Sequence, residues 1–209
     1  MADLTHFDML PLAVDPESNA ISSSTNSRSL NAELAALNAL HRTLLSSPEA
    51  THPKTNVPLP PVPVNPKRSA NITKLRDNGN AEYKKQKYAE AHQLYTLGIQ
   101  MAVSRPSWEP SAIAREELSG LYANRAQASM ALGNWAEAAV DAETSVEVRK
   151  QGNAKAWWRK GKCLLEMGRL EDAREWVKKA LELEGQEAEL TALLKEIDDK
   201  ITAAGKVKP

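Results

Sequence analysis

The chain has 209 residues, enough for one ordinary domain with extensions or for two small ones. It carries 27 basic and 27 acidic side chains and so no net charge, which leaves no electrostatic footprint for nucleic acid as the main partner. Its single cysteine, Cys163, cannot close an internal disulfide and suits a reducing compartment. The Met1–Leu4 start lacks the basic and apolar regions of a secretory leader, and no uncharged apolar run approaches the ~20 residues that span a bilayer.

Residues 1–47 have their own character. Met9–Val14 and Ala20–Ser23 flank Asp15-Pro16-Glu17-Ser18-Asn19 and read as two short extended pieces around a turn. Leu30, Leu34, Leu37, Leu40 and Leu44–Leu45 then recur at three and four, predicting an amphipathic helix over Ser29–Ser46 with Ser29 as its N-cap. A hairpin and one helix cannot bury enough surface to stand alone. The region has two readings of equal standing: it packs on the rest of the chain, or it docks on a partner protein. Residues 48–68 form a linker, with seven of the twelve prolines between Pro48 and Pro66. Such a run favours extended polyproline II and serves as a semi-rigid spacer. A ligand for an interaction domain in Pro58–Pro63 is the other reading.

From residue 69 to 209 one pattern recurs. Gly79 and Ala91, Ala126 and Ala138, and Gly161 and Ala173 are pairs of small residues separated each time by the same spacing. Tyr122 and Trp157 precede the small residue by one helical turn. Gly133 and Gly168 follow it at the helix end, and Tyr95 and Val177 fill the large apolar position of the second helix. The step from Ala126 to Gly161 is close to the ~34-residue period of tetratricopeptide repeats. The step from Gly79 to Ala126 is longer by about 13 residues, which implies an insertion. The expected fold is therefore all-α, with three tetratricopeptide repeats and a capping helix centred on Thr73–Gly185. Repeat one comprises Ile72–Lys85 and Tyr88–Arg105. The insertion, Arg105-Pro106-Ser107-Trp108-Glu109-Pro110, lengthens the next helix at its start through Ser111–Leu121. Trp108 is either a staple on repeat one or part of a partner interface. Repeat two runs to Glu147, repeat three spans Ala154–Leu183, and Gly185 stops the helix. Leu190, Leu193, Leu194, Ile197 and Ile201 put one apolar stripe on a capping helix over Glu187–Ala204.

In this frame the first helices line a concave face. Its inward positions are Arg76, Asn80 and Tyr83, then Asn124, Gln127 and Met130, then Lys155, Arg159 and Lys162. Arg76 with Asn80 and Lys155 with Arg159 are four apart and share a helical face. No acidic residue occupies these positions. Cations with neutral amide donors suit the carboxylates of a peptide terminus. Arg76, Asn80, Asn124, Lys155 and Arg159 resemble the carboxylate clamp of co-chaperone tetratricopeptide domains. Arg76 stands where that family more often has lysine. The resemblance implies binding to the acidic tails, ending Glu-Glu-Val-Asp, of the 70-kDa and 90-kDa heat-shock chaperones, with Tyr83, Gln127, Met130 and Lys162 as further groove contacts.

The order of hairpin, helix, proline-rich spacer, three repeats, Trp108 insertion and leucine-rich cap also resembles the fungal Sec-seventy-two family. That resemblance implies a peripheral adaptor on the cytosolic face of the endoplasmic reticulum, acting in post-translational protein translocation. The partners implied are the Sec-seventy-one and Sec-sixty-three subunits and the tail of the 70-kDa chaperone. Residues 1–47 would be its docking element. A free cytosolic co-chaperone for the 90-kDa chaperone tail, or a purely structural repeat scaffold, are the alternatives.

Nothing in the chain points to an enzyme, a metal or a cofactor. His6, His41, His52 and His92 are scattered, and no phosphate loop, metal-ligand spacing or nucleophile–base arrangement is present. Glu116-Glu117 and Asp198-Asp199 read as solvated helix charges, and Cys163 as a buried thiol on an apolar helix side.

Overall fold

The computed structural model describes residues 10–25, 27–46, 64, 66–105 and 109–206, without the side chains of 44–46 and 205–206. The chain divides into two compact units, Met1–Pro63 and Val64–Pro209. Residues 48–63 and 65 of the proline-rich spacer, with the Pro58–Pro63 ligand reading, and Trp108 lie outside the described residues.

In the first unit, strands β1 (Leu12–Val14) and β2 (Ile21–Ser23) pair antiparallel, with Ala13 opposite Ser22. Asp15 builds the turn between them. Its carboxylate accepts from the Glu17 N–H at 3.0 Å and the Ser18 hydroxyl, which hold its pKa below the usual carboxylate range, and its carbonyl accepts from the Asn19 N–H. Asn19 takes the left-handed conformation, φ 53°, that asparagine tolerates. Helix α1 (Arg28–Ser46) follows. Its cap is Ser27 rather than Ser29, since the Ser27 hydroxyl accepts from the Leu30 N–H three residues on. Ser29, already inside the first turn, is left to meet Ser27 side chain to side chain. Asn38 ties helix to hairpin. Its carboxamide donates to the Ile21 carbonyl and accepts from the Ile21 N–H, both at 2.8 Å, as a neighbouring strand would. Leu10, Leu12, Val14 and Leu37 are exposed.

Among the described residues the second unit forms seven helices: α2 (Pro66–Lys84), α3 (Tyr88–Val103), α4 (Ser111–Ala131), α5 (Trp135–Val148), α6 (Ala154–Glu166), α7 (Leu170–Glu184) and α8 (Ala188–Lys206). Helix α2 starts at Pro66, six residues before the expected Ile72. Proline is suited to the first helical position because the N–H it lacks would have no intrahelical partner there. The insertion does lengthen α4 at its N-terminal end. Each helix packs on the next, and α2 also touches α4, α4 touches α6 and α6 touches α8, so the first helices of the pairs form one layer.

The small residues mark the crossings. Gly79, Ala91, Ala126, Ala138, Gly161 and Ala173 are all buried. A methyl on Gly79 would lie 2.5 Å from the Tyr95 ring, and one on Gly161 2.6 Å from Val177 and 3.0 Å from Leu193. Gly133 and Gly168 end their helices with φ 78° and 74°, and Gln86 takes the same left-handed turn, φ 63°, in repeat one. One apolar cluster runs from Ala123 and Val146 through Trp157 and Leu164 to Leu190 and Ile197 of the cap. Another joins Ile72, Tyr95, Ile99 and Leu121 across repeats one and two. Cys163 is fully buried beside Ala138 and Ala139, and burial pushes its thiol up to about 12.

Glu117 is not a solvated charge. The Arg105 guanidinium, 4% exposed, donates to both Glu117 oxygens at 2.6 and 2.8 Å, to Glu109 and to the Ser69 hydroxyl, pinning both ends of the insertion to repeat one. A bidentate pair with two further hydrogen bonds offsets much of the cost of taking these charges from water. Among the described residues no helix is long and apolar enough to cross a membrane.

Gly161→Leu tests the crossing. Its new atoms meet Val177 and Leu193, so overpacking is expected to cost about 2–3 kcal/mol and lower the thermal unfolding midpoint. Unfolding unchanged from the parent would refute the crossing at Gly161.

Candidate functional site

Helix α6 carries the cationic pair, and its first turn is fixed from three sides. The Asn153 side chain donates to the carbonyls of Ser145 and Arg149, both at 3.0 Å, and Glu184 accepts from the N–H groups of Gly152 and Asn153 at 3.0 and 2.9 Å. Carboxylate oxygens at a helix N-terminus satisfy donors the helix cannot. Trp157 one turn on is buried, its indole donating to the Lys150 carbonyl at 3.0 Å, and Trp176 closes over it with ring centres 4.4 Å apart. Lys155 and Arg159 are thereby held on the opposite side of the helix from this core.

That side opens on a cavity of about 810 Å³, lined by Tyr83 of α2, Gln127, Met130 and Ala131 of α4, Lys155, Trp158 and Arg159 of α6, and Glu189, Ala192, Leu193 and Glu196 of α8. Of the candidate residues, it brings together Tyr83, Gln127, Met130, Lys155 and Arg159. Lys155 is exposed and makes no ion pair among the described residues. Arg159 is 9% exposed and donates through Nη2 to Gln127 Oε1 at 2.7 Å. Burial pushes its guanidinium down, opposed by Tyr83, Tyr95 and Glu189, but a guanidinium stays charged at any ordinary pH. Asn80 and Asn124 sit on adjacent first helices and meet directly, Asn124 Nδ2 donating to Asn80 Oδ1 at 3.0 Å. The Tyr95 hydroxyl donates to the same oxygen at 2.8 Å.

Arg76, Asn80, Asn124 and Lys162 are not among the residues lining the cavity. Arg76 is half-exposed and pairs with its neighbour Asp77 at 3.3 Å. Lys162 reaches Glu166 at 3.0 Å and Glu196 at 3.1 Å, contacts that hold Glu196 below the usual carboxylate range. No acid occupies the inward positions of the first helices, but the capping helix brings Glu189 and Glu196 to the same cavity.

One arginine next to the site escaped the sequence reading. Arg125 forms a bidentate pair with Asp141 at 2.7 and 2.8 Å, donates to Thr96 at 3.2 Å and lies 5.3 Å from the Tyr122 ring centre. It locks α4 to α5 and α3, which sets the tilt of the helix bearing Asn124 and Gln127. No spacing rule joins Arg125 to Asp141, so no sequence signal marked it. Among the described residues no group of three or more His, Cys, Asp or Glu could hold a metal ion.

The tetratricopeptide-repeat family profile matches residues 129–197. In Schizosaccharomyces pombe, the ER protein translocation subcomplex subunit sec67 is 39% identical over 124 residues, which cover 59% of this chain and 64% of that protein. Among solved structures, a chain of the Sec complex from S. cerevisiae is 26% identical with a TM-score of 0.66, over 93% of this chain and 99% of that one. The first tetratricopeptide domain of Spaghetti (RPAP3), solved with the HSP90 peptide SRMEEVD, is 28% identical with a TM-score of 0.53, over 64% of this chain and 95% of that one.

Burial raises the Tyr95 hydroxyl to about 12. A folded-state value above the unfolded ~10 means the contribution is complete below pH 10 and is lost as pH rises through 12. Phenolate absorbance is expected to show a late step from Tyr95, and Tyr95→Phe to remove that step. The fold is that of tetratricopeptide repeats, and over more than half its length the chain is similar to a subunit of the S. pombe ER translocation subcomplex.

Proposed function

We propose that this chain is a non-enzymatic adaptor on the cytosolic face of the endoplasmic reticulum. It holds the acidic C-terminal tail of a 70-kDa heat-shock chaperone in its groove and docks on membrane-anchored Sec subunits. The observation that carries the reading is the convergence of Lys155, Arg159 and Gln127 on one cavity, beside the Asn80–Asn124 amide pair. Charged donors and amide N–H groups on rigid helices are what a terminal carboxylate requires. Lys155 supplies an unpaired ammonium, Arg159 a guanidinium oriented by Gln127, and Asn80 and Asn124 neutral donors. Arg76 joins them by exchanging its bond to Asp77 for one to the tail. Likeness to sec67 and to a Sec-complex chain supports the translocation setting, and likeness to a domain bound to SRMEEVD supports an acidic tail as ligand.

In this reading Sec-seventy-one is the direct anchor and Sec-sixty-three the link to the channel. Docking falls to residues 1–47, where Leu10, Leu12, Val14 and Leu37 offer apolar surface.

Calorimetric titration of the full chain with an octapeptide ending Glu-Glu-Val-Asp tests the clamp, beside a copy amidated at its C-terminus. Micromolar binding of the free acid, abolished by amidation, is expected. Lys155→Ala, at an exposed position without an ion pair, is expected to weaken it by about 1.5–3 kcal/mol with the fold intact. Equal binding of both peptides would sink the carboxylate clamp. Deleting residues 1–63 is expected to release the chain from microsomes. Sedimentation of the truncated chain with them would move docking to the repeats, whereas a free co-chaperone would not sediment in either form.

A further inference from the structure

Asn80 shares helix α2 with Tyr83 of the cavity and, though it does not itself line that cavity, has an unusual hydrogen-bonding arrangement. Its carbonyl oxygen accepts twice, from Tyr95 Oη at 2.8 Å and from Asn124 Nδ2 at 3.0 Å, and its Nδ2 makes no hydrogen bond with any described residue. Asn124 offers an amide nitrogen, a donor only, so Asn80 must answer with oxygen. The Tyr95 hydroxyl, facing that same oxygen, must donate. A carboxamide saturated at oxygen by two neighbours is locked against the flip that would turn its carbonyl toward the groove. Both Nδ2 hydrogens are left for a ligand, and only an acceptor suits them.

Tyr95 is itself fixed. It comes from α3, a second helix outside the layer of first helices, and is 2% exposed. Its ring fills the space left by Gly79, where a Cβ would lie 2.5 Å away, so the side chain can pass between the helices and end at Asn80. The missing side chain at Gly79 and the hydroxyl of Tyr95 thus act together.

We propose that Tyr95 is a positioning residue of the binding groove, orienting the Asn80 carboxamide so that it offers two N–H donors to a carboxylate. The inference rests on the clamp reading above and adds a residue that touches no ligand. It also assigns a reason for tyrosine rather than phenylalanine at this packed position. The phenol keeps its proton throughout the physiological range, so the orientation is independent of pH there.

The test is Tyr95→Phe in the full chain, titrated with the free-acid octapeptide and its amide, and repeated in an Asn80→Ala background. The ring and its packing remain, so the fold is expected to hold. Binding of the free acid is expected to fall about three- to tenfold, the worth of one oriented hydrogen bond. In the Asn80→Ala background the same change is expected to cost nothing further, because Tyr95 acts only through Asn80. Unchanged affinity, or an equal loss in both backgrounds, would overturn the proposal, the latter marking Tyr95 as merely structural. Should Tyr95→Phe loosen the fold, the Asn80 side-chain amide resonances of the unaltered chain decide. Both protons are expected to shift on adding the free acid but not the amide, and no shift would overturn the proposal. A parent chain that fails to distinguish acid from amide would overturn the clamp, and this inference with it.

Discussion

The second unit depends on one constraint, that two helices of each pair must approach where neither has a side chain to spare. At Gly79, Ala126 and Gly161 on the first helices, and at Ala91, Ala138 and Ala173 on the second, the backbones come close enough that a methyl added at either glycine would overlap its neighbour. Close approach lets Tyr95 and Val177 cover the small residue, and so lets a few large side chains close each pair. The pairs then bury what remains against each other, through Leu121 between repeats one and two and through Leu193 and Ile197 under the cap. No pair could do this alone.

Stacking the first helices in one layer creates the groove as a by-product. Its walls come from four helices far apart in sequence, and several of the candidate side chains depend on residues whose own place is set by packing. Gln127 steadies Arg159, Asn153 fixes the turn before Lys155, and Arg125 holds α4. A rigid array of donors loses little conformational freedom when a ligand arrives.

What was legible in the sequence is what depends on local sterics at fixed spacing. The crossings, the helix ends at Gly133 and Gly168, the lengthened α4 and the apolar stripe of α8 all follow from period and backbone conformation. Pro66 reads as linker in the sequence because a proline-rich run and a helix start share the same residue, and Ser27 and Ser29 differ as caps only by where the first turn begins. Glu117 and the acids of α8 escaped for another reason. An ion pair between Arg105 and Glu117, or between Lys162 and Glu196, depends on which elements meet in space, and periodicity carries no information on that. The bonds joining Asn80 to Asn124 and Tyr95 are of the same kind. Their residue types were visible, but their connection required the fold.

The capping helix has a consequence beyond hiding an apolar edge. Leu190, Leu193 and Ile197 hold α8 to the core, Lys162–Glu196 and Arg174–Asp198 fasten its flank, and Glu189, Ala192 and Glu196 form one bank of the groove. A repeat array that ended in a helix chosen for solubility alone could exchange it for any polar amphipathic segment. Here the terminal helix sets both the width of the channel and the sign of the charge along one side. In the peptide-binding role proposed above, changes in α8 fall directly on ligand selection, and a lineage could retune that preference by altering α8 while leaving every residue of the three repeats in place.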